Sequence, residues 1–209
     1  MCSEAGMCAA IEAVYDISVN RMGVPPQQML LWGKSLGTGP TVFLASQQRP
    51  LSGVVLVSPL ASGARCVLGG LPRAMMGAAD SVRVCAARAA LCCALLGSSS
   101  AARCFVLRAP LRADGTSAQV FMPSVTRAPR VIVPMCVVHG TADEVVPVDN
   151  AQALVAACGA LAAYPPLYVP AGHNDVELKH GPRFVAHLAR FLEYTANIAT
   201  VPYQRDLHE

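Results

Sequence analysis

The hydrophobic positions along the chain change period several times, and each change marks an element. Met7, Ile11, Val14 and Tyr15 recur at helical spacing, so the chain opens with a predicted amphipathic helix that Gly23 and the Pro25-Pro26 pair bring to an end. Gln28 to Trp32 reads as a strand. Leu36 to Gln48 reads as a helix, with Pro40 tolerated in its first turn. Gly53-Val54-Val55-Leu56-Val57-Ser58 is a continuous apolar run closed by Pro59, and Val131 to Val138 is a third run rich in β-branched residues. Ala151, Leu154, Val155 and Cys158 give another helix face, with Asp149 as expected N-cap and Gly159 as expected C-cap. Pro166 to Val169 is a short fourth strand. Phe184, Leu188, Phe191 and Leu192 form the apolar face of a last helix, and a loose tail is expected from residue 195.

Strands alternating with helices predict an α/β protein with a parallel sheet. Runs such as Val54–Val57 show no alternation, as expected of strands covered on both faces. Composition sharpens this: 54% of the 209 residues are hydrophobic, 14% are charged, and mean hydropathy is +0.43. No apolar run is long enough to span a bilayer; the nearest, Val84 to Leu96, is short and carries Arg88. Buried strands and abundant alanine therefore account for the hydropathy. No basic-then-apolar leader opens the chain, and the nine cysteines (Cys2, Cys8, Cys66, Cys85, Cys92, Cys93, Cys104, Cys136, Cys158) show neither CxxC pairs nor zinc-type histidine spacing. The expectation is reduced thiols in a cytoplasmic setting, without a metal site or cofactor.

One segment departs from the rest. Residues 64–130 hold nine arginines against Asp80 and Asp114, whereas the remainder holds seven basic and eleven acidic residues. The segment is rich in Ala, Arg, Gly and Cys, and only Arg83 to Leu96 suggests a helix. It reads as an insertion, biased in composition or lid-like, within a single domain spanning 1–209. No nucleic-acid-reading motif accompanies the arginines, so no nucleic-acid partner is expected, while peripheral contact with an anionic membrane face stays open.

The candidate chemistry lies at three strand ends. Met29 to Trp32 runs directly into Gly33-Lys34-Ser35-Leu36-Gly37, a G-x-S-x-G pattern that arises by chance in about one such chain in ten. Between a strand and a helix it gains meaning. The turn would force Ser35 into strained backbone space, lift its hydroxyl clear of the sheet, and set the Leu36 N–H where a developing oxyanion could be held. On this reading Gly33 and Gly37 are small to avoid clashes, and Gly39 lets the helix lie close to the sheet. A serine needs a histidine to take its proton and a carboxylate to orient that histidine. Asp143 follows the third strand and His173 follows the fourth, where ligand sites of parallel sheets lie. Glu144 and Asp175 are the competing carboxylates. His139 reads as structural, and His180 and His187 as belonging to the last helix or its approach.

Four blocks then resemble a known family: Trp32-Gly33-Lys34-Ser35-Leu36-Gly37-Thr38-Gly39-Pro40-Thr41, Ser58-Pro59-Leu60-Ala61-Ser62-Gly63-Ala64-Arg65, His139-Gly140-Thr141-Ala142-Asp143-Glu144-Val145-Val146 and Gly172-His173-Asn174-Asp175-Val176-Glu177. Together they are similar to the α/β-hydrolase domain-containing serine hydrolases, in their protein-depalmitoylase-like branch. The resemblance covers roughly residues 5–65 and 128–193. It implies Ser35 as nucleophile, Asp143 as orienter and His173 as general base. It also implies an acyl-serine route for cleaving acyl thioesters or esters, with S-palmitoylated proteins at membranes as the substrate class. Three departures go with it. Nothing upstream of Met29 matches the strands and second oxyanion loop that precede the elbow in that family, so an N-terminally incomplete α/β-hydrolase sheet with a bare edge, and weak or no activity, are expected. The insertion falls where a cap is expected, and an N-terminal cysteine cluster is reduced to Cys2 and Cys8. A non-catalytic pseudo-hydrolase or interaction module is the alternative outside enzymes; a carboxylesterase or serine peptidase is the alternative within them.

Overall fold

A computed structural model describes residues 3–67 and 122–199. Helix α1 (Glu4–Asn20) leads to strand β1 (Leu30–Lys34), a single 3-10 turn (Ser35–Gly37) and helix α2 (Thr38–Ala45). Strand β2 (Gly53–Val57), the short helix α3 (Gly63–Val67), the short helix α4 (Ser124–Arg127) and strand β3 (Met135–Gly140) follow. Helix α5 (Asp149–Ala157), strand β4 (Leu167–Val169), the short helix α6 (Val176–Lys179) and the long helix α7 (Gly181–Ala199) complete the order.

The four strands pair in parallel in the order β1-β2-β3-β4, with Leu31 opposite Val54, Val55 opposite Cys136 and His139 opposite Tyr168. Chain order thus equals spatial order, and among the described residues β1 and β4 are the two edges. Among the described residues β1 pairs only with β2.

Successive strand residues point to opposite faces, and the core divides accordingly. Val54, Leu56, Met135 and Val137 pack with Leu31, Val42, Leu44 and Leu154, beneath α1, α2 and α5. Val55, Val57, Cys136 and Val138 pack with Phe184 and Phe191 of α7 on the other face. Every residue of β2 and of β3 is buried, which is why neither strand shows polar alternation. Each fully buried valine or leucine contributes roughly 1.5–3 kcal/mol, so this two-sided burial is the main stabilising term.

The differences from the sequence reading have local causes. β1 begins two residues later than expected because Pro26–Gln28 form a 3-10 turn. β3 begins only at Met135, after Pro134. Asp149 is the first residue of α5; Val148 is its N-cap and supplies no side-chain bond. The buried face of α1 runs through Cys8, Ile11 and Tyr15, while Val14 is 62% exposed. In α7, Leu192 is 52% exposed, and its expected place in the apolar face falls to His187 and Thr195, both buried. The helix runs on to Ala199 rather than loosening at 195.

The proposed helix over Arg83 to Leu96, and most of the 64–130 segment, lie outside the described residues. The segment's C-terminal end is part of the packed body. Met122, Ser124 and Ala128 are buried. Glu4 at the start of α1 accepts from the Met122 N–H at 2.9 Å and from the Arg127 guanidinium at 2.9 Å. Gly39 makes room for this packing, because a Cβ there would lie 2.2 Å from the Met122 sulfur.

Candidate active site

β1 delivers Ser35 to the C-terminal end of the sheet, and the chain then reverses direction into a helix. Ser35 takes φ 51°, a left-handed conformation that a residue with a Cβ adopts only at a cost of about 1–3 kcal/mol. The surrounding contacts hold it there. The Thr38 hydroxyl donates to the Ser35 carbonyl at 2.6 Å and accepts from the Leu60 N–H at 3.1 Å, which ties the elbow to the end of β2. The Thr41 hydroxyl donates to the Gly37 carbonyl at 2.8 Å.

The two motif glycines are not equivalent. A Cβ at Gly33 would lie 2.6 Å from Thr41 Oγ1 and 2.8 Å from both the Gly37 carbonyl oxygen and Thr38 Cα. Gly37 has φ −63°, and a Cβ there would meet nothing within 4 Å among the described residues. The steric requirement expected of both positions therefore holds for Gly33 alone. Leu36 is the second residue of the 3-10 turn, so its N–H is one of the first-turn donors that have no acceptor within the helix.

β3 supplies Asp143. The strand ends at Gly140, where a Cβ would lie 2.2 Å from the Ala171 carbonyl oxygen. That close approach seats the loop after β4 directly on the loop after β3. Asp143 Oδ1 accepts from the N–H groups of Val145 and Val146 at 2.9 and 2.8 Å. Its Oδ2 lies 2.8 Å from His173 Nδ1 and 3.4 Å from His139 Nε2. Burial pushes the Asp143 carboxyl up; the His139 and His173 contacts and the Val146 N–H outweigh it and hold the group far below the ordinary carboxylate range. The carboxylate is therefore ionised, and His173 Nδ1 carries the proton it donates to it.

That tautomer leaves His173 Nε2 as an acceptor, and the Ser35 hydroxyl lies 2.9 Å from it. Ser35, His173 and Asp143 thus form one hydrogen-bonded chain, drawn from three loops at one end of the sheet. Glu144 is exposed and takes no part in it. Asp175 pairs instead with Lys179, one helical turn on. His139 is fully buried beside Asp143, and its Nε2 lies 2.8 Å from the Val146 carbonyl oxygen. It braces the loop that presents Asp143, consistent with a structural reading. Sequence reasoning missed Gly140 and Thr38, which position the loops; only the strand-end location of the glycine and the N-terminal placement of the threonine hinted at them. Among the described residues, no group of three or more His, Cys, Asp or Glu side chains is arranged to hold a metal ion.

No protein-family model matches the chain. Alpha/beta hydrolase domain-containing protein aho-3 of Caenorhabditis elegans is 30% identical over 200 residues, which is 95% of this chain and 46% of that protein. Alpha/beta hydrolase domain-containing protein 17C of Homo sapiens is 30% identical over 193 residues, 92% of this chain and 44% of its own length. The chain therefore spans just under half the length of these curated relatives. Among solved structures, the monoacylglycerol lipase of Paleococcus ferrophilus superposes with a TM-score of 0.55 at 19% identity, covering 94% of this chain and 76% of the lipase. The parallel sheet with helices on both faces is thus an α/β-hydrolase fold.

Proposed function

Starting from a chain that is a relative of the alpha/beta hydrolase domain-containing proteins and carries their fold, we propose that it is a serine hydrolase acting on acyl thioesters, with S-palmitoylated proteins as substrates. The observation that carries this reading is the bond chain from Ser35 through His173 to Asp143, at 2.9 and 2.8 Å. The thioester class rests on the resemblance of the four motif blocks. Exposed Leu36 and Val145, beside Ser35 and near Asp143 in sequence, suit an apolar acyl chain. That substrate class implies a cytoplasmic protein in peripheral contact with membranes; among the described residues no helix is long and apolar enough to cross one.

In the proposed reaction Ser35 Oγ attacks the acyl carbonyl while its proton passes to His173 Nε2. Asp143 holds Nδ1–H and stabilises the imidazolium. The tetrahedral oxyanion accepts from the Leu36 N–H. On collapse the carbon–sulfur bond breaks, and Nε2–H protonates the departing thiolate. Water then attacks acyl-Ser35, giving its proton to His173, and the fatty acid leaves as Ser35 recovers its hydrogen.

The test is fluorophosphonate labelling of the full chain beside Ser35→Ala, followed by hydrolysis of a palmitoyl-thioester peptide and its oxygen-ester counterpart. The expected result is labelling and thioester cleavage that both vanish in the variant. Labelling equal in the two proteins, or absent from both, would refute the serine-hydrolase assignment; cleavage confined to the oxygen ester would refute the thioester one.

A further inference from the structure

The strands that carry Ser35 and His173 are at opposite edges of the sheet. Three inter-strand steps of about 4.8 Å separate them by roughly 14 Å, yet His173 Nε2 lies 2.9 Å from Ser35 Oγ. The chain leaving β4 must therefore reach back across the ends of β3 and β2 and be held above β1. Two side chains of β1 meet it there. Trp32 and Lys34 are two residues apart and so project from the same face of the strand. Trp32 makes an edge-to-face contact with Phe184 of α7, at 6.0 Å between centroids. Lys34 Nζ lies 2.8 Å from Glu177 Oε1 of α6, across 143 residues of sequence. Lys34 adjoins the nucleophile, and Glu177 follows the base by four residues.

We infer that Lys34 and Glu177 are positioning residues: their ion pair latches the His173-bearing segment onto the strand that carries Ser35 and fixes the base within hydrogen-bonding reach of it. The inference rests on the serine-hydrolase reading. Each side chain is about one-third exposed, at 35% and 33%. Such a pair adds little to global stability. Its effect falls on the fraction of molecules with His173 in register.

The test compares Lys34→Met, Glu177→Gln and the charge swap Lys34→Glu/Glu177→Lys in the full chain, with Arg49→Met as control, since Arg49 pairs with Asp16 on α1. The readouts are the saturating rate and half-saturation constant of fluorophosphonate labelling, and amide exchange over residues 173–180. Each single variant should lower the saturating rate about two- to fivefold, as expected for an exposed pair. Half-saturation should stay unchanged and exchange over 173–180 should rise. The swap should recover both, and Arg49→Met should change neither. Exchange and saturating rate unchanged in the single variants, or a swap no better than the singles, would overturn the latch. If the wild-type chain labels independently of Ser35, the hydrolase reading falls, while local exchange still decides whether the pair holds the segment.

Discussion

Replacing Gly33 with alanine would place a Cβ 2.6 Å from Thr41 Oγ1 and 2.8 Å from the Gly37 carbonyl oxygen and Thr38 Cα. The last two are backbone atoms, and no flexible side-chain end can yield there. Thr38 Cα would have to retreat by about 0.7 Å to reach a normal separation. Thr38 also anchors Ser35 through a 2.6 Å bond to its carbonyl, so the displacement passes to the nucleophile. Overpacking of this kind costs about 1–3 kcal/mol, and a misplacement near 1 Å can cost about a hundredfold in rate. Gly37→Ala is the opposite case. Its φ of −63° and ψ of −17° suit any residue, and among the described residues the space around its Cβ is open. Alanine there should stabilise by about 0.4–1 kcal/mol through the unfolded chain, raising Tm by about 1–4 °C in a domain of this size. The assay is a thermal melt paired with the rate of fluorophosphonate labelling. We expect Gly33→Ala to melt lower and label about a hundredfold more slowly, and Gly37→Ala to melt higher with labelling retained. Equal behaviour of the two variants in either assay would refute the asymmetry of the elbow.

Asp143→Asn should slow labelling by about 10⁴-fold, because the amide can stabilise the wrong tautomer of His173 and carries no charge to offset the imidazolium; labelling within tenfold of wild type would show that the carboxylate is dispensable. The depressed folded value of Asp143 gives stability that is present above its unfolded value of about 3.9 and lost as pH falls toward the folded one. The gap in Tm between wild type and Asp143→Asn should therefore narrow below pH 4, and a gap independent of pH would refute the linkage. Burial holds the His187 imidazole below its ordinary value, with Arg190 adding to the effect, and its Nε2 is buried without a hydrogen-bond partner among the described residues. The fold thus favours the neutral ring: stability is full above about pH 6.5 and falls as pH drops toward the lower folded value. His187→Phe should lessen the drop in Tm between pH 7.5 and 5.5, and an unchanged drop in a folded variant would remove His187 from the acid response.

Much of this protein is fixed by short-range patterns that a sequence displays directly. Val54–Val57 and Met135–Val138 are apolar at every position because both faces of their strands are covered, and that signature needs no knowledge of the covering helices. The serine between a strand and a helix, the carboxylate after the third strand and the histidine after the fourth were legible for the same reason, since parallel strands bring their C-terminal ends to one side of the sheet. Other features depend on which distant atoms come to rest against a residue. Gly33 and Gly37 look alike in the motif, yet only one faces Thr38 and Thr41 across a tight turn. Gly39 answers to Met122, Glu4 to Arg127, Asp143 to His139 as well as His173, and Lys34 to Glu177. The apolar face of α7 likewise takes in His187 and Thr195 and leaves Leu192 half in solvent, because the helix rolls to seat Phe184 and Phe191 on the sheet. Sequence periodicity fixes which elements form and in what order, because it reflects each residue's own backbone and burial; contacts across the sheet arise only when the elements pack, and only the tertiary structure decides them.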